Sequence, residues 1–478
     1  MKSATQFAAA AALLAGVDAF WRMPCKTKTG VARIDPIVNP GEIAPHAHAI
    51  FGGSNFGMSS TSDVLLNSEC TSCNVTKDKS AYWVPTLNFI HADGKVEIVP
   101  DVGGLLAYYL FERQDDEKME AFPDGFQMLA GDARQRNFTL SFPDMPRSEW
   151  INHPEETTQQ NLGLKALGFN CLNYAKQPPE PTVYRHFFPD KNYLDANCPQ
   201  GVRAEIYFPS CWNGELDSPD HKSHVAYPDT INNGKCPDSH KRRIPQLLYE
   251  VIFDTNKFKG KEGQFVFSNG DPTGYGFHAD FVMGWPVDLL QQLIDHPVCG
   301  GYGKNAGTGT LEDCPLFDNI KDEIRAQSCE FEMPKVLEAD DCVNNLCGNV
   351  EVFAGPEYAP AHPGGGHGSP SGVYTPPPVS EQTNQPTLSY TTPRSAVGPI
   401  SIYQVGQNQE APEPTPAPQL HHAAVEGNGK VLSTSTYTSA GVVHEVVVVQ
   451  EDVYVTVEVD APSRKRHAHH MHQRHQHS

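Results

Sequence analysis

Two doublets of ionisable residues, each with one residue between its members, can do chemistry together: His46/His48 in "IAPHAHAIFGGSNF" and His278/Asp280 in "GYGFHADFVMGW". On an extended strand alternate side chains share a face, so a strand over Ile43 to Phe51 projects both early imidazoles one way. A strand beginning at "FHADFV" likewise puts His278 and Asp280 on one side and Phe277, Ala279 and Phe281 on the other. If the two strands converge, His46, His48, His278 and Asp280 offer three imidazoles and a carboxylate to a divalent ion, zinc or manganese, with iron also fitting the donor types. The same groups can act as a metal-free acid and base near neutral pH, or hold loops by hydrogen bonds. Spacing alone leaves all three readings open.

A second dense stretch, "FPSCWNGELDSPDHKSHVAYPD", carries Trp212, Asp217, Asp220, His221, His224 and Tyr227. Its prolines and glycine predict a loop, and polar-aromatic loops on a rigid scaffold are where binding and catalysis concentrate. The alternative is an ordinary surface loop stapled by Cys211. His224 joins the acid–base candidates. Trp212, His221, Trp285 and Arg185 of "VYRHFFPD" are candidates for substrate binding, the indoles on sugar faces and the guanidinium on an anionic group. No motif marks the paired carboxylates of a glycosidase.

The elements that must position these residues read as short strands. Apolar or aromatic runs such as "YWVPTLNFI", "GLLAYYLF", "RAEIYFP" and "QFVFSN" alternate with Gly, Pro, Asn and Asp clusters. "WPVDLLQQLIDH" has helical apolar spacing with Pro286 suited to a first turn, and "LFDNIKDEIRAQ" predicts a second helix. The expected fold over 20–350 is a β-rich α+β domain, sheet on sheet like a sandwich, with a few peripheral helices and disulfide staples. A disordered tail follows.

The first 19 residues, one lysine ahead of an Ala/Leu-rich run ending Val17-Asp18-Ala19, predict a cleaved signal peptide. No later run is long enough to span a bilayer. In an oxidising compartment the twelve cysteines predict up to six disulfides. Cys70-Thr-Ser-Cys73 has redox or zinc spacing but no second such pair, so structural cystines are expected. Sequons at Asn74 and Asn137 suit an exported glycoprotein. A net charge of −21 disfavours nucleic acid and acidic membranes as partners.

Residues 351–440 are dense in Pro, Gly, Ser, Thr and Gln and read as a linker. The Val-rich segment 441–460, with Val453, Val455, Val457 and Val459 on one face, reads as a strand that must pair with something. The basic segment 461–478 holds six of the 21 histidines and reads as a solvated tail.

The blocks "ARIDPIVNPGEIAPHAHAIFGGSNF", "FPSCWNGELDSPDHKSHVAYP", "NGKCPDSHKRRIPQLLYEV" and "FSNGDPTGYGFHADFVMGW" resemble those of a secreted, mainly fungal family. It is catalogued as the domain of unknown function nineteen ninety-six. The resemblance runs from about Arg33 to Cys299 and implies an extracellular fungal setting, with carbohydrate-binding modules sometimes fused, and no known reaction. It also implies that the family's recurrent polar positions fall on His46, His48, Trp212, His221, His224, His240 and the His278/Asp280 doublet.

The leading expectation is a secreted enzyme cleaving a polysaccharide or related wall polymer. It would do so by hydrolysis or elimination at the histidine/aspartate site. The alternatives are a non-catalytic wall-associated or carbohydrate-binding protein and, resting on the tail, a metal scavenger.

Overall fold

The computed structural model describes residues 20–361, apart from 115–116, 301–310, 312–313 and 349, together with residues 430–439 and 442–450. The expected signal peptide, the histidine-rich tail and most of the linker lie outside the described residues. The chain divides into two units, Met1–Gln385 and Pro386–Ser478.

Ten strands of the first unit build its frame: β1 (Phe20–Cys25), β2 (Gly30–Ala32), β3 (His48–Gly52), β4 (Ala81–Pro85), β5 (Asp101–Leu110), β6 (Gln127–Gly131), β7 (Leu167–Cys171), β8 (Val202–Tyr207), β9 (Gln246–Phe253) and β10 (His278–Val282). They form two five-stranded antiparallel sheets, ordered β1-β5-β9-β8-β7 and β2-β3-β4-β10-β6. Smaller three-stranded sheets and short helices fill the periphery, so the sheet-rich α+β fold is as expected.

Alternation explains the packing. Met23, Ala107, Tyr249 and Ile206 stand in register across the first sheet. Phe51, Tyr82, Phe281 and Met128 do so across the second. All eight belong to one buried cluster, the core between the sheets. The Tyr82 and Tyr249 rings meet edge-on at 5.6 Å, and the Tyr249 hydroxyl donates to the Asp280 carbonyl at 3.0 Å. Each large side chain buried here contributes about 1.5–3 kcal/mol.

The alternate positions of the second sheet, Ile50, Trp83, Asp280 and Leu129, are also in register and face the other way. The three apolar members of that row pack with Ile34, Ile37, Ile43 and Phe56 in a second, smaller cluster. The second sheet is therefore covered on both faces, and its outer face is where the polar doublets land.

The helix expected after Trp285 spans Val287–Asp295, directly behind Pro286. The second expected helix breaks into a 3-10 turn at Pro315–Phe317 and one turn at Glu323–Ala326, where the Asp322 side chain accepts the Arg325 N–H. Among the described residues no helix is long and apolar enough to cross a membrane.

All twelve cysteines pair, as Cys25–Cys73, Cys70–Cys329, Cys171–Cys198, Cys211–Cys236, Cys299–Cys314 and Cys342–Cys347. Cys70 and Cys73 go to different partners, so the pair with redox spacing is two structural cystines. In the second unit, residues Lys430–Ser439 and Val442–Gln450 pair as an antiparallel hairpin. The Val-rich strand thus finds its partner in the segment that composition marks as linker; Val453 to Val459 lie outside the described residues.

The two sequons differ in access. The Asn74 side chain is buried and donates to Glu323 Oε1 at 3.1 Å, whereas Asn137 is exposed. Protein made through a eukaryotic secretory pathway should lose a glycan on Asn137→Gln and none on Asn74→Gln. Mass spectrometry before and after endoglycosidase checks this, and a glycan on folded Asn74 would contradict it.

Candidate functional site

Placement of the early doublet begins with the turn of β3. Ala49 and Phe51 point into the sandwich core, so His48 points with Ile50 to the outer face. On β10, Ala279 and Phe281 enter the same core, which turns His278 and Asp280 outward. β4 runs between the two strands and pairs Trp83 with both Ile50 and Asp280. Pro85 of β4 faces His48, and continuing the β4–β10 register by two places brings His278 level with the same proline. The rings of His48 and His278 meet across it, Nε2 to Nε2, at 3.4 Å.

His46 reaches the same point by another route. The strand starts at His48, not at Ile43. The residues before it are irregular because the Ala44 N–H donates to the Arg33 carbonyl and Pro45 has no N–H to pair. The Ser268 hydroxyl donates to the carbonyl of Ala47, between the two histidines, at 2.5 Å. So held, His46 Nε2 lies 3.1 Å from His278 Nε2. The ligand atoms of the three rings all lie within 4.8 Å of one another.

The loop ahead of His278 is equally tied. The Asp271 carboxylate accepts the N–H groups of Thr273 and Gly276 at 2.7 and 2.6 Å. Arg136 lies 3.7 Å from the same carboxylate. Opposite His278, Gly131 has φ +80°, and a Cβ there would sit 2.5 Å from the Phe277 carbonyl oxygen, so only glycine permits this close β6–β10 approach.

The hydrogen bonds assign the protons. His48 Nδ1 lies 3.0 Å from the Ile34 carbonyl and His278 Nδ1 lies 2.9 Å from the Gly276 carbonyl. A carbonyl only accepts, so each Nδ1 carries the hydrogen and each neutral ring leaves Nε2 bare. Burial pushes His278 down to about 4; burial, and then the charge of His278, pushes His48 well below the usual histidine range. Both rings are therefore neutral at ordinary pH, with two lone pairs facing each other. That pair repels unless a cation stands between them or His46 Nε2, 3.1 Å from His278 Nε2, donates a hydrogen to it. A separation of 3.4 Å fits two ligands of one tetrahedral ion, for which metal–nitrogen bonds of about 2.0–2.1 Å place the nitrogens about 3.3–3.4 Å apart. The backbone carbonyls serve as the outer partners that orient ligating imidazoles.

Asp280 stands outside this ligand group. Residues two apart on a strand are separated by about 6.5–7 Å along it, which carries the carboxylate past the three rings. It is 1 % exposed, and its Oδ2 has no hydrogen-bond partner among the described residues. Burial, and then the charge of Asp35, pushes its pKa well up. Asp35 is itself buried and is pushed up to about 6 by burial, against the pull of the Val38 and Ile37 N–H groups that its carboxylate accepts at 3.0 and 3.1 Å. Asp35 is the site residue that spacing missed. It sits in "RIDP", an acid ahead of a proline in a turn-forming context, which looks like ordinary loop chemistry.

The other candidates fall elsewhere. His221 Nδ1 bonds the Asp217 carboxylate at 2.9 Å, and the ring's charge acts on Asp35, so its loop borders the site. His224 is fully buried, with Nδ1 against Ser218 Oγ at 3.0 Å and Nε2 against the Gln127 carbonyl at 2.8 Å; it ties the loop to β6. Trp212 is buried, donates to the Glu215 carbonyl and carries the Arg242 guanidinium over its ring at 3.9 Å. Arg185 is buried against Glu180 with bonds of 2.7 and 3.0 Å. Trp285 is 0 % exposed in the sandwich core, its N–H on the Tyr109 hydroxyl. Neither indole offers an open face to a ligand. Residue type alone does not separate a surface platform from a core aromatic.

The family described as a domain of unknown function, DUF1996, matches residues 35–285, and the chain belongs to it. That span contains all three histidines, Asp35 and Asp280. No curated protein and no solved structure matches the chain.

Removing the Ser268 hydroxyl should leave the buried Ala47 carbonyl without this donor. Ser268→Ala is expected to cost roughly 1–3 kcal/mol in denaturant unfolding. An unchanged midpoint would mean that this bond does not hold the histidine segment.

Proposed function

For a chain of this uncharacterised family, we propose a secreted, metal-dependent enzyme that cleaves a polysaccharide or related wall polymer, with His46, His48 and His278 as the ligands. The observation that carries the reading is the pair of bare Nε2 atoms of His48 and His278 at 3.4 Å, with His46 Nε2 3.1 Å from His278. Neutral imidazoles are the form a divalent ion such as zinc or manganese requires. A bound ion supplies Lewis acidity, which polarises a substrate oxygen or acidifies a water.

The chain's own groups do the rest. Ile34 and Gly276 keep the imidazoles turned. Asp280 Oδ2, buried and without a hydrogen-bond partner among the described residues, is the atom we assign to take or deliver a proton. The outer-face cluster of Ile34, Ile37 and Ile43 keeps bulk water away and strengthens the electrostatics inside. Six disulfides suit export to an oxidising compartment. A second reading, a closed structural metal site in a non-catalytic wall-binding protein, is favoured by the deep burial of the rings, 7 %, 0 % and 5 % exposed.

The test removes the competing tail first. A chain lacking residues 461–478 should retain about one ion per molecule in elemental analysis, and His278→Ala or His48→Ala in that background should lose it. Equal metal content in all three proteins would overturn the centre. Product release from β-glucan, chitin or mannan should fall at least roughly a hundredfold in the same variants and on chelation. Saturable binding of these polymers with no product and no chelator effect would favour the non-catalytic reading.

A further inference from the structure

Alongside the histidine centre lies a cavity of about 490 Å3. One of its walls is the end of β6, Leu129 to Gly131, with Asp132 just beyond it; Gly131 pairs with His278 and Leu129 with Asp280. Another wall is Tyr275, three residues ahead of His278. The volume is that of a small-ligand site, in the range of about 300–1,000 Å3.

The lining is prearranged. Asp220 Oδ1 accepts the hydroxyls of Ser218 and Ser223 and the N–H groups of Lys222 and Ser223, which fixes the loop carrying them. Those bonds hold the Asp220 carboxylate well below its usual range despite its partial burial. Lys222 Nζ donates to the Gly131 carbonyl at 2.5 Å, clamping the loop onto the strand beside His278. His240, also on the wall, contacts the Ser223 carbonyl through Nε2 at 3.0 Å.

The chemistry of the lining selects the ligand. Carboxylates, amides and one ammonium group are mixed with no excess of cations, and the chain carries a net charge of −21. A polyanion is therefore disfavoured. Tyr275 is half-buried and lies within 8° of parallel to Phe138, whose ring stacks on His186 at 4.9 Å. The three rings form a stack, which fixes the plane of the Tyr275 ring at the cavity. A flat aromatic face beside closely spaced donors and acceptors matches a pyranose, whose C–H face is apolar and whose edge is hydroxylated.

We propose that this cavity is a glycan subsite for a neutral pyranose unit of the polymer, with Tyr275 stacked on the ring and Asp132, Gln135 and Lys222 facing its hydroxyls. The assignment rests on the proposed polysaccharide substrate and names its chemical class; binding here does not require the ion.

The test is calorimetric titration of the full chain with neutral hexasaccharides of β-1,3-glucan, β-1,4-glucan and β-1,4-mannan, and with an oligouronate of equal length. At least one neutral hexasaccharide should bind saturably, with affinity unchanged by chelator. Tyr275→Ala should weaken binding at least tenfold, and Tyr275→Phe, which keeps the ring, should restore it while thermal melting stays at the wild-type value. No neutral ligand bound, preference for the oligouronate, or equal affinity in Tyr275→Ala would each overturn the subsite. Wild-type protein that binds a neutral hexasaccharide but carries no ion would sink the metal centre and leave this subsite standing, and protein that holds its ion but binds no neutral hexasaccharide would do the opposite.

Discussion

Side-chain alternation along β3 and β10 is the constraint from which the site follows. Ala49, Phe51, Ala279 and Phe281 belong in the core between the sheets, and a strand has only two faces. Their burial therefore drives His48, His278 and Asp280 to the opposite side. With β4 between the two strands, the rings meet across Pro85. A one-residue slip of either strand would send an imidazole into the sandwich and a phenylalanine to the outer face. Core packing and site geometry are thus one register.

Burying three imidazoles and two carboxyl groups beside isoleucines is expensive, because each polar atom loses water. The fold meets most of that cost with backbone groups: the carbonyls of Ile34 and Gly276 for the rings, and the N–H groups of Ile37 and Val38 for Asp35. What is left over is localised. The bare nitrogens of His48 and His278 face each other and His46 instead of a backbone donor, and the Oδ2 of Asp280 has no partner among the described residues. A buried polar residue of this kind calls for a ligand, an ion or a proton to complete it.

The covalent framework serves the same end from a distance. Cys70–Cys329 ties a segment just ahead of β4 to the chain beyond β10, across a separation of 259 residues. Cys211–Cys236 staples the loop in which Asp220 accepts the Lys222 N–H and from which Lys222 and His224 bind β6. The loop is held at both its root and its tip, which makes it a rigid wall for the neighbouring cavity.

By itself the sequence determined what short-range chemistry can determine. Strand-rich character, the helix behind Pro286, the pairing of an even set of cysteines and the one-face grouping of His278 with Asp280 all follow from period-two alternation, turn residues and local spacing. Tertiary structure decided what depends on contacts distant in the chain. It placed His46 by an irregular segment rather than by strand alternation, and it left Asp280 outside the ring cluster and within electrostatic reach of Asp35. It also spent Trp285, Arg185 and His224 on internal partners. The physical reason is that an imidazole, a guanidinium or an indole has the same composition whether it meets a ligand or another part of its own chain. Only the register of non-adjacent strands determines which of the two it meets.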